Sequence, residues 1–310
     1  MLRVFLTHNP EDLNAYYGRA LPELRSVAGV EVVVNPLDRD LTTAELLDHS
    51  TGCQVIVAHR STPGEAELFD GHPDVVAMFR TAVDISTIDV TAASRNGVLV
   101  GCADKSFVPS TAEIALALML DLARNVSEST VDYRGGEQPP QRTGFQLRGK
   151  VAGLIGCGSI GTYLAPVLVA LGVEVLVADP YADVDIAGVR QVALPELLAE
   201  SDFVLPLAAS TPETENLIDA EALARMRPGA MLVNVSRGEL LDEAAVAAAL
   251  GTGHLGGLAM DVGRAPDQRP SPELARRPGV VATPHLGGLT PENADAQAMS
   301  SVDQVRSIVD

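Results

Sequence analysis

The sequence predicts an α/β protein made of two doubly wound parallel-sheet domains, and three observations carry that prediction. Short apolar runs alternate with helix-period stretches along most of the chain, the rhythm of a parallel sheet covered by helices on both faces. A glycine-rich turn, Gly156-x-Gly158-x-x-Gly161, joins one of those runs to a helix in mid-chain. The length of 310 residues allows two domains of ordinary size, and a hydrophobic content of 46% excludes a mainly disordered chain.

Composition narrows the function classes. Trp is absent and aromatic residues make up 4%, so the cores must be built from Ala, Val and Leu. A net charge of −19 argues against nucleic acid and against anionic membrane as partners, and confines any anion site to a local basic pocket. The start, Met1 to Thr7, reads as a first strand and lacks the long apolar core of a signal peptide. No apolar run reaches membrane-spanning length; the richest, Ile114 to Leu120, is bounded by Glu113 and Asp121. Cys53, Cys102 and Cys157 form no C-x-x-C pair, which fits a reducing, cytoplasmic setting and no metal site.

In the first hundred residues Val4–Leu6, Val30–Val34, Val55–Val57, Val75–Phe79 and Val98–Val100 read as buried parallel strands. Thr42 and Glu45 form a capping box for a helix between the second and third, and Asp89 caps a helix that Gly97 ends. Pro22 interrupts the first helical pattern. This unit has no glycine-rich phosphate loop, so its interest lies at the carboxyl ends of its strands, where such sheets bind ligands. There stand His59-Arg60-Ser61-Thr62 and Arg80-Thr81-Ala82-Val83-Asp84, each equally readable as a solvated connection or a substrate contact. Ser110–Arg124 reads as a helix apolar almost all round, hence buried, and Asp132–Gly149 as a polar loop.

Val151–Ile155 then reads as a buried strand and Ser159–Leu171 as a helix closed by Gly172. Each glycine between them has a physical job: a tight turn, close approach of backbone to a pyrophosphate, and close helix–strand packing. The first turn of the helix, with Ser159 and Ile160, offers unbonded N–H groups and a positive dipole end to the phosphates. A second strand, Val173–Ala178, ends in Asp179, about 20 residues beyond the last glycine. A carboxylate there accepts from ribose hydroxyls and repels a 2′-phosphate, which makes this a Rossmann unit and its ligand NAD rather than NADP. The rhythm continues through Phe203–Leu207, Ala220–Arg225, Met231–Val235, Ala244–Leu250 (capped by Asp242), Leu258–Met260 and Val280–Ala282. Just past strand ends stand Ser236-Arg237-Gly238, Asp261 and Thr283-Pro284-His285.

Five motifs give the chain a family likeness. They are Ser110-Thr-Ala-Glu113 with its apolar continuation, Gly149 to Gly161, Thr211-Pro-Glu-Thr214, Val233 to Asp242 and Thr283-Pro-His285. With them the chain resembles the NAD-dependent D-2-hydroxyacid dehydrogenases, from about residue 50 to 290. The resemblance implies Arg237 on the substrate carboxylate and carbonyl and His285 as general acid/base. It also implies a cofactor set of Gly156, Gly158, Ser159, Ile160, Gly161, Asp179, Ala208, Val235 and Asp261, the last holding the nicotinamide amide. Substrate contacts fall on Arg60, Ser61, Ala82 and Phe107, with His59 in reserve. A flavodoxin-like substrate domain, residues 1–99 and 287–310, is then interrupted by the larger NAD-binding domain, residues 100–286, and a homodimer is expected. The implied reaction interconverts a small D-2-hydroxy acid and its 2-keto acid, glyoxylate or hydroxypyruvate being representative. The chemistry supports these roles independently. Arg presents a planar fork matched to a carboxylate, and His titrates near neutrality and can give or take the proton.

The chain departs from the family's pattern at one catalytic position. The family usually carries a Glu five residues after the Asp of D-V-F-x-x-E-P, and that Glu orients the catalytic His. Here the stretch runs Asp261-Val-Gly-Arg-Ala-Pro266-Asp267-Gln268 without a gap, so Pro266 takes the aligned place. Asp267, one position late, is expected to turn its carboxylate toward His285; the alternatives are Gln268, the type used by the family's formate dehydrogenases, or no side chain. Phe107 replaces the formate enzymes' Asn, and Leu207 and Ala209 replace a usual His and Pro. The missing Glu keeps a second reading open, an NAD(H)-sensing regulatory binding protein with little or no turnover.

Overall fold

A computed structural model describes residues 1–309, which form two compact units. One comprises Met1–Ser106 with the segment from Thr290, the other Phe107–Leu289. The expected changeovers at 99/100 and 286/287 fall inside ordered elements of the first unit and just short of Thr290. The strand that begins at Leu99 pairs in the first sheet and carries that unit past residue 99.

The first unit holds β1 (Leu2–Leu6), β2 (Val30–Val34), β3 (Val55–Ala58), β4 (Ala77–Arg80) and β5 (Leu99–Cys102). They form one parallel sheet in the order β2-β1-β3-β4-β5. The fourth and fifth strands lie one or two residues later than the apolar runs suggest, because ladder pairing starts only at Ala77 and Leu99, while Val75 and Val98 are buried ahead of it. Alternation along each strand feeds two cores: Phe5, Ile56 and Met78 face one side, Val4, Leu6, Val55, Val57, Ala77 and Phe79 the other. The second core is closed by the C-terminal helix Pro291–Val309, through Ala298, Val302 and Val305. The Thr42–Glu45 capping box and the Asp89 cap both form. Pro22 lies in the first turn of a helix Ala20–Ser26 that follows a separate π-helical piece, Leu13–Tyr17. A further helix, Ala66–Gly71, carries no side-chain cap and gives no sequence signal of its start.

The second unit holds β6 (Val151–Ile155), β7 (Glu174–Ala178), β8 (Val189–Gln191), β9 (Phe203–Pro206), β10 (Ala230–Asn234), β11 (Leu255–Met260) and β12 (Val280–Ala282). All are parallel, in the order β12-β11-β10-β9-β6-β7-β8. Leu154, Val175, Val177, Leu205 and Val233 feed one face; Ile155, Leu176, Val204, Leu232 and Leu258 feed the other. Burial on both faces explains why the strands read as continuous apolar runs, each large side chain contributing about 1.5–3 kcal/mol. The edge strand β8 escapes the sequence reading because Val189-Arg190-Gln191 offers no apolar run, and the helix Leu194–Glu200 because it is only seven residues long and starts without a side-chain cap.

The helix expected at Ser110–Arg124 runs Val108–Arg124, and the expectation that its apolar faces are all buried is corrected. Thr111, Ala112, Ala115, Leu118, Met119, Leu122 and Ala123 make one buried stripe, while Leu120 is exposed. Residues from Val126 to Arg134 form a second helix, which overlaps the start of the loop expected from Asp132. The chain turns between the two at Asn125, in the left-handed region (φ 54°). The Asp121 carboxylate accepts from Ser127 N–H at 2.8 Å and so starts the new helix.

Candidate active site

The carboxyl ends of the second sheet gather the residues that carry chemistry. In spatial order across β12, β11, β10, β9, β6 and β7 these are His285, Asp261, Arg237, Ala208, the glycine turn and Asp179. Neighbouring strands are about 4.8 Å apart, so Arg237 and His285 rise from strands roughly 10 Å apart.

The phosphate end is built from backbone. Gly156 has φ +97°, a conformation closed to ordinary side chains, and its N–H donates to Ala178 C=O at 2.8 Å. A Cβ there would come within 3.0 Å of Ala208 N, so Ala208 forms the wall behind the turn. At Gly161 a Cβ would lie 2.8 Å from Gly156 C=O, which forces helix and turn together. Gly158 differs: a Cβ added there meets open space. The helix Ser159–Ala170 starts without any side-chain cap, which leaves its first-turn N–H groups for an anion. Asp179 closes this end, accepting from Cys157 N–H at 2.8 Å and from Tyr181 N–H at 2.9 Å. Burial raises the Cys157 thiol, which makes it a packing group. Uncapped N–H groups, an open glycine and a carboxylate at the next strand end fit a dinucleotide.

Arg237 is held through its own backbone. The buried Asn234 carboxamide donates to Arg237 C=O at 2.8 Å and accepts from Ser236 N–H at 3.1 Å. Ser236 Oγ donates to Ala208 C=O at 3.0 Å, tying the loop after β10 to the loop after β9. Val235 is buried beside it. Asn234 is a site residue that the sequence reading passes over; a lone polar residue at the end of an apolar strand is the available signal.

Asp261 is almost fully buried, and its carboxylate organises the loop that carries His285. It accepts from Thr283 Oγ1 at 2.6 Å, Leu286 N–H at 2.7 Å and Gly287 N–H at 2.7 Å. His285 itself stands in the left-handed region (φ 62°). Its Nδ1 lies 3.0 Å from the main-chain oxygen of Asp267. The Asp267 carboxylate, expected to face the ring, is instead exposed and lies 3.9 Å from the Arg269 guanidinium. The physical reason is the backbone: φ is +59° at Asp267 and +57° at Gln268, which turns the peptide oxygen toward His285.

The first unit presents its own edge. His59 Nδ1 lies 2.9 Å from Ser61 Oγ, which donates to Asp40 at 2.7 Å, and the Asp12 carboxylate lies 3.5 Å from the same nitrogen. Burial pushes the His59 imidazole down, against the opposing pull of Asp12 and Asp40, and pushes the Asp12 carboxyl up. Arg60 is exposed. Its carbonyl, with that of Thr62, accepts from the buried Arg80 guanidinium, which also donates to Thr87 Oγ1. Burial lowers Arg80 to about 10. Ala82 C=O accepts from Ala103 N–H at 3.1 Å. Phe107 belongs to the other unit and precedes the helix Val108–Arg124. Arg60, Ser61 and Ala82 thus share the first unit's edge, while Arg237 and His285 share the second's.

Comparison with known proteins supplies the context. A family model described as D-isomer specific 2-hydroxyacid dehydrogenase, NAD binding domain, matches residues 116–287. The D-3-phosphoglycerate dehydrogenase of Mycobacterium tuberculosis is 36% identical over 277 residues, 87% of this chain and 51% of that protein. The chain therefore spans about half the length of the phosphoglycerate dehydrogenases it matches. The (S)-sulfolactate dehydrogenase of Chromohalobacter salexigens is 33% identical over 291 residues, 89% of this chain and 94% of that protein. A crystal structure of a Thermus thermophilus protein superposes with a TM-score of 0.87 at 30% identity, covering 99% of this chain and 97% of that one.

Proposed function

The chain belongs to the D-isomer specific 2-hydroxyacid dehydrogenase family and carries its NAD-binding domain; from that premise we propose that it interconverts a small D-2-hydroxy acid and its 2-keto acid. The observation that carries the reading is the single strand-end edge that bears an uncapped phosphate turn, Asp179, Arg237 and a His285 whose ring is already held. Bound NADH supplies the hydride, and the protein supplies placement and electrostatics. Reduction builds negative charge on the carbonyl oxygen. Arg237, permanently charged, meets the carboxylate and that oxygen, and His285 gives the proton through the ring nitrogen that Asp267 does not occupy. In oxidation the same nitrogen takes the proton back. The Asp261 carboxylate keeps one acceptor position on Oδ2 after its three bonds, and that position is assigned to the nicotinamide amide.

Arg60, Ser61, Ala82 and Phe107 are the proposed substrate contacts, and glyoxylate and hydroxypyruvate are representative substrates. The names of the relatives extend the panel to acids with a second anionic group. Exposed Leu120, Val126, Val131 and Tyr133, on the successive helices from Val108 to Arg134, support a homodimer. A cytoplasmic location rests on the unpaired cysteines. Among the described residues, no helix is long and apolar enough to cross a membrane. The deciding experiment is NADH consumption with a panel of 2-keto acids. Turnover of at least one, abolished in His285→Ala, is the expected result. Tight NADH binding with no turnover of any member would instead favour the NAD(H)-sensing reading, to which the missing Glu gives its only support.

A further inference from the structure

The geometry points to the turn Ala265–Arg269 as a main-chain positioning device for His285, in which the carbonyl of Asp267 does the orienting work of an absent carboxylate. A carbonyl oxygen can only accept, so the 3.0 Å contact requires the proton on Nδ1 of the neutral ring. That fixes the tautomer and leaves Nε2 as the nitrogen that exchanges a proton with substrate, a consequence that rests on the proposed dehydrogenase reading. No charge is added beside the ring by this contact, unlike the Glu that the family's pattern places there.

Two consecutive left-handed residues that are not glycine are costly, on the order of 1 kcal/mol each, and persist only where the surroundings fix them. Here the fixing is visible. Gly263 N–H donates to Gln268 C=O at 2.8 Å, and Ala265 N–H donates to Arg269 C=O at 3.1 Å. A Cβ at Gly263 would lie 2.5 Å from Pro270 Cα, and one at Gly238 would lie 2.2 Å from the Gly263 carbonyl carbon. Three backbones therefore stack without side chains between them. Gly238 follows Arg237 directly, so Arg237 and the turn that holds His285 rest on one support.

The test uses protein labelled with 15N-histidine, the His285 signal being assigned from His285→Asn. Parent, Asp267→Asn and Asp267→Gly should all show protonated Nδ1 and unprotonated Nε2, since each retains the carbonyl and tolerates a positive φ. In Asp267→Pro, whose ring forbids that φ, and in Asp267→Val, whose branched side chain disfavours it, the signature should be lost. Where turnover is measurable, Asn and Gly should keep kcat within about 2-fold, while Pro and Val lose about 10- to 100-fold with NADH affinity unchanged. Asp267→Val carries the argument if the Pro variant does not fold. Loss of the signature in Asp267→Asn or Asp267→Gly would assign the work to the carboxylate and overturn the inference. So would its retention in the folded Pro or Val variants. Absence of turnover would count against the dehydrogenase reading alone, because the tautomer series is read without substrate.

Discussion

The Asp179 carboxylate accepts a 2.8 Å hydrogen bond from Cys157 N–H, which lies inside the glycine turn. The residue assigned to read the ribose also braces the loop assigned to cradle the phosphates. Cofactor choice and cofactor affinity are therefore linked. The parent should prefer NADH over NADPH, since a 2′-phosphate beside that carboxylate costs a few kcal/mol, on the order of 100-fold in affinity. Asp179→Ala should narrow the preference by about tenfold or more and also weaken NADH itself, because Cys157 and Tyr181 N–H lose their acceptor. Titration of both cofactors against both proteins checks this. Undiminished NADH binding in the variant would show that the brace contributes nothing.

Arg237→Lys should damage catalysis heavily. The Arg237 backbone is pinned by Asn234, so the fork is presented at a fixed origin and a single ammonium cannot reproduce its two prongs. We expect a loss of roughly 2–4 kcal/mol in kcat/KM, comparable to removing one preorganised oxyanion donor. NADH affinity should stay level. A variant retaining most of its activity would reduce Arg237 to a surface cation.

Asp261→Asn should disturb the loop that carries His285. The amide nitrogen cannot accept, so at least one of Thr283 Oγ1, Leu286 N–H and Gly287 N–H loses its partner in a buried setting. A buried unsatisfied donor costs about 1–3 kcal/mol, so the melting temperature should fall together with kcat. An unchanged melting temperature with weaker NADH binding would place the carboxylate on the cofactor alone.

These residues show what a sequence makes legible. Gly156 and Gly161 are readable because a positive φ and a backbone contact leave no alternative residue type. The placement of Arg237 and His285 past strand ends is readable because the apolar runs locate those ends, where a parallel sheet binds ligands; the roles proposed for them come from the family resemblance. Asp267 is readable only in part. Whether its side chain or its carbonyl meets His285 is decided by the sign of φ, and Pro-Asp-Gln does not encode that sign. The bracing by Asp261 is invisible for another reason: two of its three partners are main-chain N–H groups far along the chain, and main chain carries no residue type. The helix from Val126 is hidden because its start depends on Asp121, a residue of the preceding helix.

The last prediction concerns acid stability of the first unit. His8 is almost fully buried; its Nε2 lies 3.2 Å from Thr81 Oγ1, and Nδ1 has no partner among the described residues. Burial, helped by the neighbouring His59, pushes its pKa down to about 3. In the unfolded chain the imidazole titrates near 6.5. Above that pH both states hold neutral His8 and the group contributes no pH dependence. As pH falls below it, the unfolded chain takes a proton that the native protein refuses, so stability declines until pH approaches the native value. Between pH of about 6.5 and about 4.5 the decline from this group alone amounts to roughly 2–3 kcal/mol. His8→Gln keeps an amide donor for Thr81 and removes the titration. Urea unfolding at about pH 7 and about pH 4.5 should therefore show a smaller stability difference in the variant than in the parent, by about 2 kcal/mol. Equal differences in the two proteins would mean that His8 is protonated in the native state and that its buried site admits the charge.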